Sequence, residues 1–168
     1  MEIRIAGTVA ESVVDGPGIR FTIFAQGCKH HCPGCHNPET HPLSGGQETT
    51  VEELYRQIRQ QKLIKGVTFS GGEPFLQAPA FAHLARLIKT LGLDLVVYTG
   101  FLFEELLALK EKEPAVGELL EQADLLVDGP FILEERDLSL PYRGSRNQRI
   151  IKVKESLEQK KLILWTPS

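Results

Sequence analysis

All three cysteines of this 168-residue chain, Cys28, Cys32 and Cys35, fall within the stretch QGCKHHCPGCHNPET (26–40). Thiolates at C-x3-C-x2-C spacing are close enough to share one metal centre. A structural zinc site wants four closed ligands, usually from two separated pairs, and here there is no second pair. A site with three cysteines and one histidine would have to recruit a nearby imidazole. His31 and His36 adjoin Cys32 and Cys35, and sharing a metal with an adjacent cysteine strains the backbone, which leaves His30 and His41. An iron–sulfur cube is normally held by four cysteines. Held by three, it keeps one iron without a protein ligand, and an open position on a catalytic metal is where a substrate binds. The spacing therefore leaves two chemistries open: a zinc-stabilised interaction module, or a cluster whose last ligand is a small molecule.

The elements around this loop follow from apolar patterning. IRFTIFAQ (19–26) is β-rich, TVEELYRQIRQQ (50–61) is an amphipathic helix with Thr49 or Thr50 as its cap, and GVTFS (66–70) is a short strand. APAFAHLARLIKTLG (78–92) is helical and ends at Gly92, with His83 structural within it. LDLVVYT (93–99) is apolar enough to be buried on both faces. FEELLALKE and VGELLEQ carry helical spacing broken at Pro114, ADLLVDG (123–129) is a further strand, and QRIIKV and LILWT are later candidates. Strands alternating with helices predict an α/β fold with a mostly parallel sheet. A closed eightfold barrel typically takes about 250 residues, so the expectation is one domain, residues 1–168, forming an open partial barrel of about five or six strands. The cysteine loop, SGGEP (70–74), YTGF (98–101) and DGPF (128–131) each follow a strand, at the edge where α/β folds put ligands. DGPG (15–18) reads as a tight turn setting the first strand.

Bulk properties narrow the setting. The chain is 42% hydrophobic and 24% charged with net charge −3, which argues against a general affinity for nucleic acid or anionic membranes. MEIRIAGTVAESVV lacks the pattern of a signal peptide, and no apolar run approaches the ~20 residues of a membrane span. A cytoplasmic location is expected, where clustered cysteines read as metal-binding or catalytic. Charge is uneven: acidic residues dominate from Glu104 to Asp137, basic ones from Arg143 to Lys161. The basic run reads either as a solvated face or as a docking surface around Arg143, Arg146 and Arg149.

CKHHCPGC resembles the CxxxCxxC signature of the radical S-adenosylmethionine superfamily, and SGGEP resembles the same superfamily's GGE motif. VVDGPGIRFTIFAQGC and CHNPET resemble the members that activate glycyl-radical proteins. The small size, with CPGC, YTGF, DGPF and YRGSRNQRIIKVKESL, is similar to the activases of anaerobic (class III) ribonucleotide reductase. The resemblance runs from about residue 10 to about residue 165. It implies that Cys28, Cys32 and Cys35 hold a 4Fe–4S cluster whose unique iron chelates S-adenosylmethionine. Gly71, Gly72 and Glu73 would receive the ligand's ammonium, the glycines by close backbone approach and Glu73 through its carboxylate. An aromatic residue often precedes the third cysteine in the superfamily. Here that position is Gly34, so Gly34, Cys35 and His36 are expected to cover the adenine, with Asn37 a loop hydrogen-bonder. Thr99 and Asp128 are candidates for the ribose or methionine portions, and Arg146 for the ligand's carboxylate.

The implied reaction is reductive cleavage of S-adenosylmethionine to a 5′-deoxyadenosyl radical, which abstracts hydrogen from a glycine of the reductase's catalytic subunit. The implied electron donor is a flavodoxin or ferredoxin. Activation of pyruvate formate-lyase or another glycyl-radical enzyme is the alternative target, and the zinc module is the alternative of a different class. Replacing any one of Cys28, Cys32 or Cys35 with Ala is expected to abolish cluster assembly and S-adenosylmethionine cleavage. Full iron content and activity in any such variant would overturn the cluster assignment, as would a colourless wild type lacking broad absorption near about 400 nm.

Overall fold

The computed structural model describes residues 1–28, 30 and 42–166. In chain order the elements are β1 (Glu2–Ser12), β2 (Arg20–Ala25), β3 (Gln47–Thr50), α1 (Val51–Arg59), β4 (Gly66–Gly71), α2 (Ala78–Lys89), β5 (Asp94–Tyr98), α3 (Phe103–Leu109), α4 (Pro114–Gln122), β6 (Leu125–Asp128), β7 (Arg149–Lys152) and α5 (Val153–Gln159). A short 3-10 turn, Pro74–Gln77, joins β4 to α2. The strands form one seven-stranded sheet in the order β3-β1-β2-β4-β5-β6-β7. Its centre, β2-β4-β5-β6, is parallel. The flanking pairings β1 with β2, β1 with β3, and β6 with β7 are antiparallel.

The seven strands exceed the expected five or six because β1 and β3 carry weak signals. β1 is one-sided: Ile3 and Ile5 are buried, but its far half is mostly exposed. QETT of β3 has no apolar residue, and only its pairing with β1 makes it a strand. Pro114 begins α4, because proline's missing N–H and fixed φ cost nothing in the first turn. Thr50 caps α1, its side chain accepting from Glu53 N at 3.0 Å. The LILWT segment makes a single bridge, Ile151 to Leu164. No helix among the described residues is long and apolar enough to cross a membrane.

Side chains alternate across a strand, so each strand contributes to two environments. Phe21, Ile23 and Ala25 of β2, Val67 and Phe69 of β4, Leu95 and Val97 of β5, and Leu126 of β6 pack into the main core with Leu54, Phe81, Leu84 and Leu120 of the helices. On the other face Val96, Val127 and Ile150 form a smaller cluster with Tyr98, Tyr142 and Trp165. Beside that cluster the same face carries Arg20, Thr22, Thr68 and Ser70, all buried.

The 13–18 loop joins β1 to β2 and supplies partners for this polar layer. The Asp15 carboxylate accepts from Thr22 Oγ1 at 3.2 Å and from Ser12 Oγ, and its carbonyl accepts from Thr68 Oγ1 at 2.8 Å. Arg20 is fully buried. Its guanidinium donates to Thr68 Oγ1 (2.7 Å), Pro17 O (2.8 Å), Val67 O (2.9 Å) and the Asp94 carboxylate. One side chain thus ties the loop to the starts of β4 and β5. Arg20→Met is expected to destabilise the fold by about 1–3 kcal/mol, because buried acceptors lose their donor. Arg20→Lys should recover little, since an ammonium cannot reproduce the planar fork. Urea denaturation of both variants checks this.

Candidate functional site

A cavity of about 800 Å³ opens on the face away from the helices, within the size range of ligand sites. Cys28, Ser70, Gly71, Gly72, Thr99 and Gly100 line it from the C-terminal ends of β2, β4 and β5. Asp15 and Tyr98 also face it, as do Tyr142, Arg143 and Gln148 of the segment between β6 and β7. The expectation that the unusual motifs share one strand edge holds for the described residues. Cys32, Gly34, Cys35 and His36 lie outside the described residues, as does Asn37.

Glu73 departs from its expected place. It is fully buried and does not line the cavity. Its carboxylate accepts from His30 Nε2 at 2.7 Å, Gly100 N at 2.8 Å and Phe75 N at 3.1 Å. Thr99 Oγ1 lies 2.9 Å from both of its oxygens. A carboxylate with this many donors is satisfied within the protein and has little capacity left for a ligand's ammonium. The 3-10 turn accounts for the direction: Glu73 is its N-cap, and accepting from Phe75 N points the side chain inward.

Glycine at position 71 is required by the neighbouring strand. Gly71 has φ +89°, and a Cβ there would sit 2.7 Å from Ala25 N. Gly72 N and Glu73 N donate to Ala25 O (2.8 Å) and Gly27 O (2.7 Å), which pins the turn to the end of β2 just before Cys28.

His30 carries this knot into the cysteine loop. Its hydrogen bond with Glu73 raises its pKa above the ordinary histidine value, against the opposing effect of burial. The ring meets Phe101 edge-on at 4.7 Å between centroids. It also lies so close over Gly100 that a Cβ there would come within 2.6 Å of it. Neither contact is legible in the sequence, where Gly100 is one residue of YTGF and His30 reads as a possible zinc ligand.

Asp128 also differs from expectation. It is fully buried and does not border the cavity. One oxygen accepts from Arg149 Nε at 3.0 Å, the other from Phe103 N at 2.8 Å at the start of α3. Arg149 also donates to Glu104 at 2.8 Å. These two carboxylates raise the Arg149 pKa, and Arg149 in turn lowers that of Glu104. Asp128 is therefore spent on closing α3 and β7 against β6. The basic stretch divides three ways. Arg149 is bound in that pair, Arg146 is exposed, and Arg143 faces the cavity. Asp15 faces the cavity as well, so DGPG is both a turn and part of its wall.

A family model described as a 4Fe-4S single cluster domain matches residues 14–151. The anaerobic ribonucleoside-triphosphate reductase-activating protein of Vibrio cholerae serotype O1 is 37% identical over 146 residues, covering 82% of this chain and 90% of that protein. The protein of the same name from Escherichia coli strain K12 is 34% identical over 144 residues, with coverage of 81% and 90%. Pyruvate formate-lyase 1-activating enzyme of Escherichia coli strain K12 is 35% identical over 169 residues, covering 96% of this chain but 65% of that protein. Among solved structures, QueE from Escherichia coli aligns with a TM-score of 0.46 at 22% identity, over 60% of this chain and 53% of that one.

The chain belongs to the 4Fe-4S single cluster domain family. Within it the chain is an activase of the radical S-adenosylmethionine type, an enzyme whose cofactors are a 4Fe–4S cluster and S-adenosylmethionine. The described residues fit these groups: Cys28 borders the cavity at the end of β2, beside Ser70, Gly71 and Gly72.

The knot has a checkable consequence. Glu73→Gln puts an amide N–H₂ against at least one of the donors, so the apoprotein should lose about 1–3 kcal/mol of stability. Iron uptake should fall in parallel, because His30 loses its anchor. Urea denaturation and iron-to-protein ratio measure the two. Unchanged stability with weakened S-adenosylmethionine binding would return Glu73 to the ligand.

Proposed function

We propose that this activase acts on the catalytic subunit of anaerobic ribonucleotide reductase, generating a radical on one of its glycines. The observation that carries the reading is the match to reductase-activating proteins across 90% of their length, with coverage of pyruvate formate-lyase activase at 65%. Pyruvate formate-lyase therefore ranks second as target. When bound, the cluster and S-adenosylmethionine supply the one-electron chemistry that removes a hydrogen atom from a glycine Cα.

The chain's own residues bind, orient and exclude water. Cys28, Cys32 and Cys35 are the thiolate ligands, and the backbone of Gly71 and Gly72 receives the ammonium. Thr99 positions the ligand from the end of β5, and Gly34, Cys35 and His36 flank the adenine. Burial of Val96, Val127 and Ile150 beside the cavity supports a dry inner wall. The whole chain is read as one domain, its sheet a partial barrel with the cavity on the inner side.

A protein substrate needs a mouth wide enough for a polypeptide. Around this cavity Val13, Val14 and Leu138 are 66%, 71% and 74% exposed. Apolar side chains collected at the rim of the cavity support contact with a partner's chain. The reaction is placed in the cytoplasm with a flavodoxin or ferredoxin as donor, and the net charge of −3 supports a role without nucleic acid.

The test is anaerobic incubation of the reconstituted protein with each candidate partner, followed by electron paramagnetic resonance. A glycyl-radical signal on the reductase and none on pyruvate formate-lyase is expected, and the reverse would overturn the target. Leu138→Asp should slow glycyl-radical formation several-fold while leaving partner-free S-adenosylmethionine cleavage near the wild-type rate. Equal loss in both assays would remove the rim from the partner interface.

A further inference from the structure

Arg143 stands apart among the charged groups of the cavity wall. It is half-buried and lines the cavity, and no described carboxylate lies within ion-pair distance of it. Among the described residues its one hydrogen bond is from Nη1 to Gln148 O at 3.0 Å, and its Nε, shut off from solvent, has no partner there. Asp137 is near enough for Arg143 and Arg146 to help Ser139 lower its pKa, but it is exposed and hydrogen-bonded to Ser139. A planar guanidinium that no carboxylate of the protein engages matches one on a ligand.

The loop that presents Arg143 is tightly held. Gln148 Oε1 accepts from Gly144 N (2.9 Å) and Ser145 N (3.2 Å), and its Nε2 donates to Gly129 O at 3.1 Å. Asn147 Nδ2 donates to Pro130 O at 2.8 Å. These bonds fix the loop to the residues just past β6, so Arg143 shares the strand edge that presents Gly71 and Gly72. A cation held this way loses little freedom on meeting an anion.

S-adenosylmethionine carries two positive centres, its ammonium and sulfonium, and one negative, its α-carboxylate. Glu73 is consumed by His30, Thr99 and two backbone amides, Arg149 by Asp128 and Glu104, and Arg146 is exposed. Among the described charged groups, Arg143 is the cation in the cavity without a carboxylate partner. We propose that Arg143 holds the α-carboxylate of S-adenosylmethionine, the role that the sequence suggested for Arg146. The assignment rests on S-adenosylmethionine being the ligand of this cavity.

The test is calorimetric titration of the cluster-reconstituted protein with S-adenosylmethionine and with its decarboxylated analogue, which lacks only the α-carboxylate. Arg143→Gln should weaken S-adenosylmethionine binding by about 10- to 100-fold. It should leave the affinity for the decarboxylated analogue at the wild-type value. Arg143→Lys should restore part of the loss, and Arg146→Gln should behave as wild type with both ligands. Equal losses on both ligands would overturn the proposal, since they report damage to the cavity rather than a lost carboxylate contact. Unchanged S-adenosylmethionine binding with slower glycyl-radical formation would also overturn it, moving the carboxylate to the partner protein. A wild type that binds neither ligand would overturn the cofactor assignment itself.

Discussion

The carboxylate of Glu73 is the interaction on which the site depends. It is a buried negative charge, which is tolerable only because the surrounding donors are all in place. Those donors come from three separate stretches: Phe75 in the turn after β4, Thr99 and Gly100 after β5, and His30 in the cysteine loop. Removing any one leaves the charge under-solvated, so the three stretches are coupled energetically as well as placed together. Thr99 serves twice, donating to Glu73 and accepting from Phe101 N at 3.1 Å. The exit of β5 is thereby shaped by the same group that anchors His30.

The sheet divides the labour of its two faces. The helix side is apolar and supplies the main core, while the other side mixes a small apolar cluster with hydroxyls and a buried arginine. Tyr98 spans both moods of that inner face. Its ring packs with Val96 and Val127, its hydroxyl donates to Tyr142 O at 2.7 Å, and burial raises its pKa well above that of an exposed tyrosine. Its hydrogen bond to the segment between β6 and β7 fixes this side of the cavity wall.

Much of this was legible in the sequence, for identifiable reasons. The central strands announced themselves as apolar runs because both of their faces are covered, and the motifs after them marked the functional edge. Thr50 and Pro114 sit at helix starts for local reasons that survive in any context. What was not legible depends on contacts distant in the chain. Whether a carboxylate in SGGEP points out to a ligand or back into the protein is decided by residues far along the chain: Thr99 at 26 positions, Gly100 at 27 and His30 at 43. The three arginines of the basic run look alike in sequence. They are separated only when β7 pairs with β6, placing Arg149 opposite Asp128. Asp15 belonged to a turn on local evidence and to the cavity only once that turn folds along β2 and β4.

An open sheet has two margins, and unpaired backbone there invites other chains to add a strand. At one margin β3 is four residues long, polar and mostly exposed, with Glu48 ion-paired to Arg4. At the other, Lys152 N donates to Ile163 O at 2.9 Å and Trp165 N to Ile150 O at 2.8 Å, so the segment after α5 lies along β7. Both margins are thus blunted, one by brevity and charge, the other by the chain's own cover. The flanks of the sheet thereby offer little to strand addition by other proteins, and copies of the chain are discouraged from stacking edge to edge.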